Sequence, residues 1–127
     1  MSFKLEREKT KTTPYILIDE EKGYMRFEGE SYLEDIIGFF KDINEWLKVY
    51  MASDFDSFTF DCELEYFNSS TTKQIYNMLR LMDLNAPGKT VIVNWIVDNK
   101  DDEMLVECGE DYRDDMEALT FNIIIKG

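Results

Sequence analysis

Phe58-Thr59-Phe60-Asp61-Cys62-Glu63-Leu64-Glu65-Tyr66-Phe67-Asn68-Ser69-Ser70-Thr71-Thr72-Lys73 changes period halfway along. From Phe58 to Tyr66 apolar residues alternate with Thr59, Asp61, Glu63 and Glu65, the pattern of a strand with one covered and one solvated face. Beyond Ser70 the apolar positions become Ile75, Leu79 and Met82, flanked by Tyr76 and Met78, which predicts a helix to about Leu84. Ala86-Pro87-Gly88 stops it. A strand feeding directly into an amphipathic helix is the building unit of an α/β domain. The junction carries four consecutive hydroxyl side chains. A helix start offers unpaired backbone N–H groups and the positive end of the helix dipole, so an anion is welcome there. The first turn, Thr71-Thr72-Lys73, holds no carboxylate that would already neutralise it. Two readings follow. The residues form an ordinary cap, since Asn, Ser and Thr are favoured at that position. Alternatively Ser69, or failing it Ser70, is a phosphoryl acceptor, with Asn68 and Thr71 shaping the turn and Thr72 and Lys73 beside the phosphate.

The same unit recurs in both directions along the chain. Pro14 opens a short strand, Tyr15 to Ile18. A turn over Asp19 to Gly23 returns it as Tyr24 to Glu28, an antiparallel hairpin. Gly29-Glu30-Ser31 then breaks the strand and can cap a helix. Leu33, Ile36, Ile37, Phe40, Ile43, Leu47 and Tyr50 recur at three- and four-residue spacing, with Trp46 widening the stripe. After the central unit, Val91 to Val97 is nearly all apolar, which suits a strand covered on both faces. A third helix is expected near Asp102 to Arg113, with Met104, Leu105, Cys108 and Tyr112 turned inward. Phe121 to Ile125 is a final strand. The order β-β-α-β-α-β-α-β predicts one α/β domain over 1–127, with a largely parallel sheet flanked by helices. Residues 1–13 either fray or add an edge strand.

With 127 residues the chain can bury a core without disulfides or metals. Its formal net charge of −13 argues against nucleic acid and anionic membrane surfaces and favours basic protein partners. No run approaches membrane-spanning length and none reads as a signal peptide, so a cytoplasmic location is expected. Cys62 and Cys108 form no C-x-x-C pair and read as small buried hydrophobes. The chain has no histidine, which removes Ser-His-Asp and Cys-His nucleophile pairs. It has no glycine-rich phosphate loop. No cofactor is indicated. The carboxylates Asp98, Asp101 and Asp102 leave one enzymatic rival, a small metal-dependent hydrolase.

The pieces taken together resemble the SiaC-type regulatory phosphoproteins, similar in fold to the STAS domains of anti-sigma factor antagonists such as SpoIIAA. The likeness runs from Thr13-Pro14 to Phe121-Asn122-Ile123. It is carried by Gly29-Glu30-Ser31-Tyr32, by Tyr66 to Lys73, by Asn94-Trp95, and by Asp101-Asp102-Glu103-Met104 with Glu107 to Tyr112. The resemblance implies a STAS-like (SpoIIAA-like) domain acting as a non-enzymatic bacterial switch. A kinase of the histidine-kinase-like ATPase fold would phosphorylate it and a PP2C-type phosphatase would reverse this. The unmodified form would bind an effector such as a diguanylate cyclase in c-di-GMP signalling. The family's acceptor is a Thr in an Asn-Thr-Ser-Ser segment, a position matched here by Ser69. The chain departs from the family pattern at Leu33 and Asp35, at Val97 and at Thr71. Tyr32, Glu34, Asp35 and Asp98 are expected at the docking surface. The alternative without phosphorylation is a plain protein-interaction module.

Overall fold

The computed structural model describes residues 2–127. Strands β1 (Lys4–Arg7), β2 (Tyr15–Asp19), β3 (Tyr24–Ser31), β4 (Ser57–Phe67), β5 (Thr90–Val97) and β6 (Thr120–Ile125) form one sheet in that spatial order. β1 to β3 pair antiparallel, and β3 to β6 pair parallel. Helices α1 (Ile36–Met51), α2 (Ser69–Asn85) and α3 (Glu103–Asp115) make the crossovers between the parallel strands. The expected α/β architecture, hairpin included, is therefore present. β1 resolves the open question at the N-terminus. It adds an antiparallel edge strand, and Phe3 just before it stacks on Trp46 at 5.5 Å.

Parallel strands added one after another on the same side, with crossovers of one hand, place all their helices on one face. The burial follows. Ile16, Ile18, Met25, Phe27, Phe58, Phe60, Cys62, Val91, Val93 and Trp95 share the covered face, and with the inner sides of the helices they make a single core. Complete burial of each large apolar side chain contributes about 1.5–3 kcal/mol.

The uniform apolarity of Val91 to Val97 had predicted cover on both faces of β5, but only one is covered. Val91, Val93, Trp95 and Val97 are buried, while Ile92, Asn94 and Ile96 lie half-buried on the open face. Nor is the acidic row of β4 simply solvated. Asp61 accepts from Tyr24 Oη (2.6 Å) and Asn94 Nδ2 (2.8 Å), and Glu63 accepts from Arg26 (2.6 Å) and Lys126 (2.6 Å).

Four local expectations are corrected. Gly29 does not end its strand. Its positive φ (104°) lies beside a register shift that skips Glu65 on β4, and β3 continues to Ser31. A bulge inverts facing beyond it. Tyr66, assigned to the apolar row by alternation, is therefore 59 % exposed, and Phe67 turns inward against Trp95 instead. The cap of α1 is Asp35, whose Oδ1 accepts from Gly38 N at 3.0 Å, so Ser31 is not a cap and Leu33 precedes the helix. Ile37 and Met104, placed on inner stripes, are 77 % and 83 % exposed, because each sits in a first turn beside the inward residue.

Two close contacts hold α3 in place. Trp95 Nε1 donates to Leu105 O (2.9 Å), and the indole lies so near Gly109 that a Cβ there would be 2.5 Å from Trp95 Cδ1. At the far end Asp83 of α2 accepts from the backbone N–H groups of Glu117, Ala118 and Leu119 at 2.7–3.1 Å. Burial pushes this carboxyl's pKa up, but the three amides and Arg80 outweigh that and hold it below the usual carboxylate range. The stabilisation is present above the ordinary Asp pKa and is lost as pH falls through the lowered value. Asp83→Asn presents an N–H₂ to amide donors, so it should cost about 1.5–3 kcal/mol near neutrality by urea denaturation. The gap to wild type should narrow on acidification. A gap independent of pH would contradict this account.

Candidate functional site

The carboxyl ends of β3, β4 and β5 lie along one edge of the sheet, and each leads into the N-terminus of the next helix. Ser31, Asn68 and Asp98 are therefore neighbours across the edge although far apart in sequence. The junction residues are tied together here. Ser31 O accepts from Asn68 N (3.2 Å). Asn68, the N-cap of α2, accepts through Oδ1 from Thr71 N (3.1 Å) and Ser70 Oγ (2.9 Å). Thr71 is fully buried, with Oγ1 2.9 Å from Asn68 Oδ1 and 2.8 Å from Ser31 Oγ. Thr71 Oγ1 has one hydrogen to donate, so Ser31 donating to it completes the arrangement. Thr72 Oγ1 donates to Asn68 O (3.2 Å).

These bonds occupy three of the four hydroxyls. Ser70, the second candidate acceptor, has its hydroxyl committed to Asn68. Ser69 is exposed and takes part in none of them. It is the first residue of α2, whose first turn carries no acidic side chain. The amides of Ser69 and Ser70 precede the first intrahelical bond and point outward along the dipole. Lys73 is also exposed, one turn further on. Ser31 was the member that sequence reasoning missed. Its Gly-Glu-Ser context reads as a strand break, and only the bulge carries it to Thr71.

Beside this helix start lies an open cleft of about 320 Å³, whose wall includes Tyr32, Tyr66, Phe67, Thr72, Met104 and Leu105. Tyr32, Tyr66 and Met104 are 44 %, 59 % and 83 % exposed, an apolar group facing solvent. Tyr32, one of the residues expected at a docking surface, lines this cleft. Asp98 lines an adjoining cleft that shares Glu65, Tyr66, Asp102 and Leu105 with the first. Glu34 is exposed but belongs to neither cleft, and Asp35 is spent on capping. Tyr66 and Met104 were missed because their outward facing depends on the bulge and on the turn after Asp102. On the other side of Ser69, Tyr112 Oη donates to Thr72 O (2.9 Å) and fastens α3 to α2. Burial pushes the Tyr112 hydroxyl and both thiols upward, so all three stay neutral near pH 7. Among the described residues no group of three or more Asp, Glu or Cys could hold a metal ion, so Asp98, Asp101 and Asp102 do not form the site that the hydrolase reading requires.

A six-stranded sheet with an N-terminal antiparallel hairpin, three crossover helices on one side and a hydroxyl cluster at the start of the middle helix define a mixed α/β domain of regulatory type. The chain belongs to the SiaC family of regulatory phosphoproteins, whose family model matches residues 7–126. It is accordingly a regulator and not an enzyme. The crystal structure of apo-SiaC from Pseudomonas aeruginosa superposes with a TM-score of 0.84 at 25 % identity, over 98 % of this chain and 99 % of that one. A chain in the crystal structure of the diguanylate cyclase SiaD in complex with its activator SiaC, from the same organism, gives 0.87 at 27 % identity, over 95 % and 98 %. An uncharacterised protein of P. aeruginosa strain UCBPP-PA14 is 28 % identical over 107 residues, 84 % of each chain.

The division of labour among the hydroxyls is testable by stability alone. Asn68→Ala removes the shared acceptor and should cost about 1–2 kcal/mol. Ser69→Ala should stay within about 0.5 kcal/mol of wild type. Urea denaturation of the two variants measures both, and a large loss at Ser69 would mean that its hydroxyl is structural.

Proposed function

We propose that this chain is a phosphorylation-controlled activator of a diguanylate cyclase, with Ser69 as the acceptor. The observation that carries the reading is the free, exposed Ser69 hydroxyl at a helix start whose first turn holds no carboxylate, beside a solvent-facing, mostly apolar cleft. Family membership and the similarity to the activator in the SiaD–SiaC complex support it. The unmodified chain would bind the cyclase across the edge formed by Tyr32, Tyr66 and Met104, with Asp98 at its margin.

A histidine-kinase-like Ser/Thr kinase would transfer the γ-phosphoryl group of ATP to Ser69 Oγ, releasing ADP and the hydroxyl proton. The product gains nearly two negative charges and three acceptor oxygens. The open amides of Ser69 and Ser70 and the Lys73 ammonium are placed to receive them. An interface that covered this position would have to desolvate an unpaired dianion, which costs far more than the contact gains. Phosphorylation therefore releases the effector, and a PP2C-type phosphatase restores binding by hydrolysis. Glu65 lines the same cleft as Thr72 and would disfavour the modified form, keeping it easy to reverse. A kinase that draws on ATP would put the exchange in the cytoplasm, and no helix among the described residues is long and apolar enough to cross a membrane.

Incubation with ATP, magnesium and the cognate kinase should add one phosphate by intact mass, and Ser69→Ala should abolish the gain. Ser69→Asp should weaken cyclase binding at least about tenfold, or 1.4 kcal/mol. A gain that persists in Ser69→Ala moves the acceptor elsewhere. Absence of any gain, with cyclase binding intact, would leave a phosphorylation-independent interaction module.

A further inference from the structure

The two clefts at the carboxyl edge of the sheet differ in chemistry although they share a wall. The lobe next to α2 is mostly apolar, with Tyr32, Tyr66, Phe67, Met104 and Leu105 around it and Glu65 and Asp102 on the wall that it shares with the second lobe. The lobe toward the end of β5 is acidic, with Glu63, Glu65, Asp98 and Asp102. Among the described residues no Lys or Arg lines either lobe. Glu63 is already paired with Arg26 and Lys126, and Asp98 lies 3.9 Å from the same Lys126 ammonium. Asp102 uses one oxygen to cap α3 through Leu105 N. Glu65 is exposed and takes part in none of these pairs.

From this charge pattern we infer the chemistry of the segment that docks here: a large apolar side chain seated between Tyr32, Tyr66 and Met104, flanked on the Asp98 side by one or more Lys or Arg side chains reaching Glu65 and Asp102. The inference rests on the proposed partner-binding role of this edge and adds what the partner must present. An acidic segment would meet Glu65, Asp98 and Asp102 at close range in a protein of net charge −13. A wholly apolar one would leave those carboxylates desolvated without a counter-charge. Thr72 lines the first lobe and also a groove containing Ser69, while Asp98 lines only the second lobe, so the segment runs from the Ser69 side toward Asp98.

The test is a randomised peptide library panned on the unmodified full chain and counter-selected against a Tyr66→Ala/Met104→Ala variant. Both positions are exposed, so that variant should keep its fold, which circular dichroism checks. Recovered peptides should combine a large apolar residue with adjacent Lys or Arg. Their affinity should fall at least tenfold in Glu65→Gln/Asp102→Asn, in which Asn keeps the cap, and should fall as salt is raised. Recovery of acidic or uncharged peptides, affinity indifferent to the Gln/Asn pair, or no peptide that discriminates the Ala variant would overturn the inference. The selection needs no kinase and the mass measurement needs no docking segment, so either idea can fail without the other.

Discussion

The spatial order of the strands is the constraint on which the rest of the molecule depends. Four parallel strands follow one another without a reversal, and each crossover returns on the same side. That choice puts every helix on one face and every strand-to-helix junction on one edge. It also omits the point at which strand order reverses, where doubly wound sheets open a deep ligand crevice. What remains at the carboxyl edge is a shallow surface with two adjoining clefts. Such a surface suits another protein chain better than an enclosed small molecule.

At that edge, stability and exposure are separated among chemically similar side chains. Asn68, Thr71 and Ser31 hold the start of α2 to the end of β3, and Ser70 and Thr72 are drawn into the same set of bonds. A buried hydroxyl without a partner would be costly, so Thr71 needs Ser31 as much as Ser31 needs Thr71. Ser69 contributes no side-chain hydrogen bond to this arrangement, which is why it is the hydroxyl proposed above as the acceptor.

Acidity has two different meanings on the two sides of the sheet. On the open face Asp61 and Glu63 are half-buried and bound to Tyr24, Asn94, Arg26 and Lys126, so their charge is neutralised locally. Along the carboxyl edge Glu65 and Asp102 face the clefts without a cationic partner, and Asp98 lies at the margin of the Lys126 ammonium (3.9 Å). The first group stabilises the uncovered sheet. The second provides an electrostatic field that a partner can use.

Much of this was legible in the residues themselves. The period change at Tyr66 to Lys73 marks a strand entering a helix, the stripe from Phe40 to Leu47 marks an inward helix face, and Asn68 before Thr71 marks a cap. Local spacing encodes these features because side-chain direction repeats every two residues in a strand and every 3.6 in a helix. The exposure of Tyr66, the union of Ser31 with Thr71, the single covered face of β5 and the joining of Met104 to Tyr32 were not legible. Each depends on which strand lies beside which, and the bulge opposite Gly29 reverses facing without any mark in the local pattern. The sequence by itself determined the elements, their order and the chemistry available at the helix start. Only the tertiary structure decided that Thr71 is sealed against Ser31, because that partner comes from forty positions away, whereas Ser70 and Thr72 bond to Asn68 within the turn itself.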